Sequence, residues 1–293
     1  MQLVAQLALV SDTPVLGVTE LTTVAAALQK QIARDLSPFW NLQGTISPFV
    51  RLEDVPPGYW PIIVRDDIQR DAAGFHCDDN GQPLALVTSG PGWPVTASHE
   101  ALEMLVDPFG NRMVAGQSLK SDQGRVEYLV EVADPIGDKT YSVNGIVVSD
   151  FCTPRYFDPI QAIGVQYSFT GAVPGPRQLL TDGYITWHDP VSNEWWQQSR
   201  FTSGEPNIDS LGPLLKTACG MRATVDRLAA RRRRKLRDEA SPLSNELKTV
   251  SAMAPAAGTP ATDSGMLAKA VMNSSRAKAE SWRSLIRDLI SKA

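Results

Sequence analysis

The stretch "TELTTVAAALQKQIARDLSPFW", Thr19 to Trp40, constrains the fold most, because its apolar residues recur with a single period. Leu21, Val24, Ala25, Leu28, Ile32 and Leu36 fall at helical spacing, which predicts one long helix that must bury that face. Thr19 is read as its cap and Pro38 as its stop. The apolar run "QLVAQLALV" before it reads as a first strand. It has neither the basic leader nor the small-residue cleavage site of a signal peptide. After the helix, "GTISPFVRL", "WPIIVRDDI" and "QPLALVTS" read as strands, set off by "VPPGY", "DDNG" and "GPG". A second helix follows in "VTASHEALEMLVDPFGN", capped by Thr96 or Ser98 and ended by Asp107-Pro108 with Gly110. The opening order is β, α, β, β, β, α, which implies an α+β class.

Further along, "RVEYLVEVADP" and "KTYSVNGIVVSDF" read as two strands around an "IGD" turn, and residues 155–205 are loop-rich. The segment "LGPLLKTACGMRATVDRLAARRRRKLRDEA" then begins a basic helical stretch. From Ser241 to Thr262 the chain is mostly Ala, Pro, Ser and Thr, too few apolar groups to offset the entropy of ordering, so it reads as a linker. A last helix, "SSRAKAESWRSLIRDLISKA", places Trp282, Leu285, Ile286, Leu289 and Ile290 on one stripe. The expected organisation is a body over 1–205, a basic helical segment over 206–240, a flexible linker over 241–262 and an amphipathic helix over 263–293. That last helix is a candidate surface for a protein partner or, equally, for docking back on the body.

Composition excludes several classes. With 293 residues, 43% hydrophobic content and a net charge of -4, the chain has no global attraction for nucleic acid or anionic lipid. No run of 18 apolar residues suggests a membrane span. Cys77, Cys152 and Cys219 are too scattered for a disulfide framework or a cysteine-only zinc site, which points to a reducing, cytoplasmic setting.

The chemistry concentrates in His-Glu-x-x-Glu. On a helix His99 and Glu103 stand one turn apart on one face, about 6 Å along the axis, so both can reach one ion. Glu100, one step round, can serve as general base, as in H-E-x-x-H zinc proteases. Glutamate binds zinc through oxygen at about 2.0–2.2 Å, so its replacement of the second histidine keeps a site possible. Extra carboxylates lower the net charge of such a site and make a bound water less acidic. Asp107, two turns on and roughly 12 Å away, is too far to share the ion and is expected to end the helix or brace the next loop. A third ligand is expected from "VEVADP", either Glu131 or Asp134.

"SHEALEMLVDP" followed by "EVADP" resembles a group of microbial and phage-borne zincin-like proteins. Their pattern is Ser-His-Glu-x-x-Glu, then Asp-Pro, then Glu-x-x-Asp. The element order is similar to the zincin and metzincin catalytic fold, although the later histidines and the methionine turn of metzincins are missing. The resemblance covers roughly residues 1 to 160. It implies a zincin-like mixed sheet with a motif-bearing helix, and zinc held by His99, Glu103 and Glu131 or Asp134, with Glu100 as base. The implied function is zinc-dependent hydrolysis of a peptide or protein substrate paired along the strand Pro83 to Ser89. The alternative is a non-catalytic protein keeping the scaffold for structure or assembly. His76, just before the edge strand, could approach the same cleft but is read as a surface-turn histidine, His188 is read as packed among aromatics, and Arg231 to Lys235, which could bind phosphate or an acidic partner, as part of a solvated helix face with Asp226, Asp238 and Glu239.

Overall fold

The computed structural model describes residues 4–68, 72–79, 81–201, 204–214, 221–222, 224–226, 228–229, 280–287 and 290. The expected linker at 241–262, the Arg231–Lys235 run and Cys219 lie outside the described residues.

Five strands build the first sheet: β1 (Val4–Asp12), β2 (Gln43–Phe49), β3 (Trp60–Arg65), β4 (Gly74–Asp79) and β5 (Gln82–Thr88). Their spatial order is β2-β1-β3-β5-β4. The first four are mutually parallel, and only the edge strand β4 runs antiparallel, to β5. The helix α1 (Val18–Lys30) makes the crossover from β1 to the parallel β2, a connection that parallel pairing requires. Its buried residues Leu21, Val24, Ala25, Ala27 and Leu28 are the periodic ones.

Thr19 does not cap α1, which begins at Val18 after Gly17 with no side-chain cap. Nor does Pro38 stop the helical path. The chain passes through a π-helical turn (Gln31–Leu36) into α2 (Ser37–Trp40) and ends at Asn41 in the left-handed conformation. A proline inside a helix lacks the N–H and crowds the carbonyl four residues back. The wider π spacing just before Pro38 relieves that conflict, and Ser37 Oγ donates to the Ile32 carbonyl at 2.7 Å.

The strand β4 is the main addition to the expected order β, α, β, β, β, α, so that the observed order is β, α, β, β, β, β, α. The motif helix α3 (Trp93–Val106) follows β5 and begins after Gly92 without a side-chain cap, so Thr96 and Ser98 lie inside it. A second, antiparallel sheet contains β6 (Met113–Gln117) and β7 (Arg125–Leu129). Between its halves in sequence lies the hairpin of β8 (Thr140–Val143) and β9 (Ile146–Ser149), turning at Asn144 and Gly145, both with positive φ. The sheet is completed by β10 (Tyr184–Asp189), β11 (Glu194–Ser199) and β12 (Asn207–Gly212), in the order β12-β11-β10-β7-β6. Thus β7 pairs with β6 and β10 rather than across the "IGD" turn, and the loop-rich 155–205 region contains a hairpin.

Alternation along the first sheet sorts its side chains into two cores. Leu7, Leu9, Ile62, Val64, Ala85 and Val87 face the main core with α1 and α3. Ala8, Val10, Ile63, Phe75, Leu84 and Leu86 face the opposite side, where Trp282 and Ile286 cover them. The C-terminal stripe therefore docks back on the sheet, with Trp282 Nε1 donating to Gln82 Oε1 at 2.9 Å. Among the described residues no helix is long and apolar enough to cross a membrane.

Candidate metal centre

The helical repeat of α3 turns His99 and Glu103 to one side, and the buried Ser98 fixes the helix there. Its hydroxyl donates to Gln31 Oε1 at 2.8 Å and accepts from the Ser149 amide at 3.1 Å, clamping α3 between the π turn and β9. The chain leaving β7 crosses the same helix. Its Ala133 amide donates to Glu103 Oε1 at 3.2 Å, and this brings Glu131 and Asp134 alongside. From the other side comes β4, whose Gly74 sits where a Cβ would lie 2.5 Å from Thr96 Cγ2 and 3.0 Å from Glu100 Oε1. Only glycine permits that approach.

Three of the four expected ligand residues, His99, Glu103 and Asp134, bring their donor atoms together, while Glu131 stands beside Arg222. His99 Nε2 lies 3.0 Å from Asp134 Oδ1 and 3.5 Å from Glu103 Oε1. Donor atoms of His99, Glu103 and Asp134 all lie within 4.8 Å of one another, as do those of His76, Glu100 and Glu103. Glu131 is 2% exposed and neither of its oxygens has a hydrogen bond. A carboxylate so placed is costly unless something positive stands beside it, and the Arg222 guanidinium does, with Nε 3.2 Å away.

Three further groups join these residues, His76 against the preferred reading and Arg222 and Asp226 unexpectedly. His76 is 1% exposed rather than on a surface turn; it projects from β4, with Nδ1 3.2 Å from Glu100 Oε2 and 3.6 Å from Glu103 Oε2. Arg222, in the basic segment, is buried among the acids. It bonds Glu103 Oε2 through Nη1, lies 3.2 Å from Asp134 Oδ2 through Nη2, and places Nε 3.2 Å from Glu131 and 3.6 Å from Asp226. Its Nη1 is also 2.7 Å and 3.1 Å from the two ring nitrogens of His76. Asp226 thus belongs to this cluster and not to a solvated face. Arg222 and Asp226 stand four apart on a helical stretch, a legible ion-pair spacing, but nothing local tied that pair to α3.

Electrostatics separates the carboxyls. Burial works to raise the Glu103 pKa, but Arg222 and His99 outweigh it and hold it below the ordinary range. Burial, reinforced by Asp134, pushes Glu131 well up, against the pull of Arg222. Burial disfavours the charged His99 ring, yet Glu103 and Asp134 overcome this and raise its pKa well above normal. Of these groups His99 is the most open, with its side chain 23% exposed.

Elsewhere, Asp107 accepts from the amides of Asn111 at 3.1 Å and Arg112 at 2.8 Å, so it braces the loop after α3. His188 packs against Trp195 and is held by Glu127 at 3.2 Å and Asn193 at 3.1 Å. Cys77 and Cys152 are buried. The chain matches no protein-family model, and no characterised protein or solved structure is measurably similar to it.

Proposed function

We propose that this cluster binds a divalent metal ion, zinc by preference, and that the protein is a zincin-like hydrolase of peptide bonds. The observation that carries the reading is the convergence of His99, Glu103 and Asp134 donor atoms within 4.8 Å of one another. A set of imidazole and carboxylate donors suits zinc and neighbouring divalent ions. Bound there, such an ion supplies Lewis-acid polarisation and acidifies a water. His99, Glu103 and Asp134 would hold it.

The residues of the chain supply the rest. Glu100 is turned toward β4, where it contacts His76, and its carboxylate accepts the proton of the attacking water and returns it to the leaving amine. An extended substrate would add to β4 and not to the strand Pro83 to Ser89. That strand is β5, which is already paired on both sides, whereas β4 ends the sheet.

A second reading, a non-catalytic scaffold, is favoured by Arg222, which already places a cation among the acids. Metal content separates the two. The first expects about one equivalent of zinc, lost in Glu103→Ala; the second expects a folded, metal-free protein. In Glu100→Gln zinc should stay while hydrolysis of a peptide library falls by about 10²-fold to 10⁴-fold. His99→Ala should lose both. Undiminished cleavage by Glu100→Gln would show that another group is the base.

A further inference from the structure

We infer that Arg222 is a positioning residue of this centre, a permanent second cation that holds one oxygen of Glu103 and of Asp134 and so turns their other oxygens toward His99. The inference rests on the metal-centre reading above. Its basis is a division of oxygens. Glu103 presents Oε1 to His99 Nε2 at 3.5 Å and Oε2 to Arg222 Nη1. Asp134 presents Oδ1 to His99 Nε2 at 3.0 Å and Oδ2 to Arg222 Nη2 at 3.2 Å. Both carboxylates therefore bridge an imidazole on one side and a guanidinium on the other, and the planar fork of arginine fits two such acceptors at once.

The two groups of possible ligand atoms share Glu103. Arg222 Nη1 occupies the group containing His76, where it lies 2.7 Å and 3.1 Å from the ring nitrogens. In the group formed by His99, Glu103 and Asp134, the oxygens that face the imidazole are not the ones hydrogen-bonded to the guanidinium. One divalent ion beside one fixed arginine, rather than a pair of ions, is the arrangement this favours. Groups that hydrogen-bond metal-binding side chains from behind fix their orientation and alter affinity by about 10-fold to 100-fold.

Arg222 is also held in place as a fixed part would be. Val225, on the same helical stretch, is fully buried against Leu129 and Trp195. Gly110, at φ +57, leaves room for the arginine, since a Cβ there would lie 2.7 Å from Arg222 Cβ.

The test is titration of the full-length, metal-stripped chain with Zn²⁺ against a chromogenic chelator, together with the visible spectrum of the Co²⁺ form. Arg222→Ala should weaken Zn²⁺ binding by about 10-fold to 100-fold and alter the Co²⁺ bands. Arg222→Lys, which restores charge without the fork, should recover part of the loss. Gly110→Ala keeps the net charge but displaces the arginine, and should weaken binding in the same direction; it and Arg222→Lys carry the test if Arg222→Ala does not fold. Binding by Arg222→Ala as tight as the parent's, with an unchanged Co²⁺ spectrum, would overturn the inference. Tighter binding would overturn it too, by showing that arginine and metal compete for the same oxygens. If the parent protein takes up neither metal, the metal-centre reading fails first and this inference with it.

Discussion

Asp226 shows how a single side chain reports on the cluster. Burial raises its pKa, Arg222 pulls it down, and Asp134 and Glu103 push it up again, to about 6. A carboxyl whose pKa is higher in the folded chain than its ordinary 3.8 binds its proton more tightly when folded. Its contribution to stability is complete below that ordinary value and is lost as the pH rises to about 6. Glu131 acts with the same sign, and Glu103, lowered by its partners from an ordinary 4.5, opposes both as the pH falls below about 5. Thermal melts in chelator should therefore fall between about pH 4 and pH 6, and Asp226→Asn should flatten that slope. A slope that survives the substitution would place the proton elsewhere. Among the site residues, His99, Glu100 and Glu103 were legible because their spacing is local. Arg222 was not, since its bonds to Glu103 and Asp134 span 119 and 88 residues and no periodicity records such distances.

The strand β4 was missed although its pattern was present. In "GFHCDD" the apolar Phe75 and Cys77 face the second core while His76 points into the acidic cluster, so the inward residue on that side is polar and the stretch reads as a turn. The Asn80-Gly81 pair after it, between alternating runs, was the hairpin signal. The two helices were easier, because a 3.6-residue repeat survives a polar face. The closeness of β4 to α3 can be tested at Gly74, where an added methyl meets Thr96 and Glu100 side chains and the Leu86 carbonyl at 3.1 Å. Gly74→Ala should cost about 1–3 kcal/mol of stability, measured by denaturant unfolding. It should also depress peptide hydrolysis more than zinc affinity, because the added methyl meets Glu100 and not His99, Glu103 or Asp134. Equal losses in both would mean that the whole site had moved.

The whole molecule is arranged so that the first sheet is covered on both faces, by α1 and α3 on one and by residues 280–287 on the other. The terminal stripe was legible as amphipathic, but amphipathicity alone does not choose between a foreign partner and the chain's own sheet. Trp282→Ala should undock this element at a cost of about 3–5 kcal/mol. Increased binding of a hydrophobic dye to the opened sheet would register the loss; an unchanged signal would mean that the remaining contacts suffice. The same long-range contact has a consequence during synthesis. Trp282 and Gln82 are separated by 200 residues. At about 5–20 residues per second a ribosome needs roughly 10–40 s to travel between them. Throughout that interval the nascent sheet shows Val10, Ile63, Phe75 and Leu86 without their cover, which makes it a natural client for chaperones that bind emerging chains.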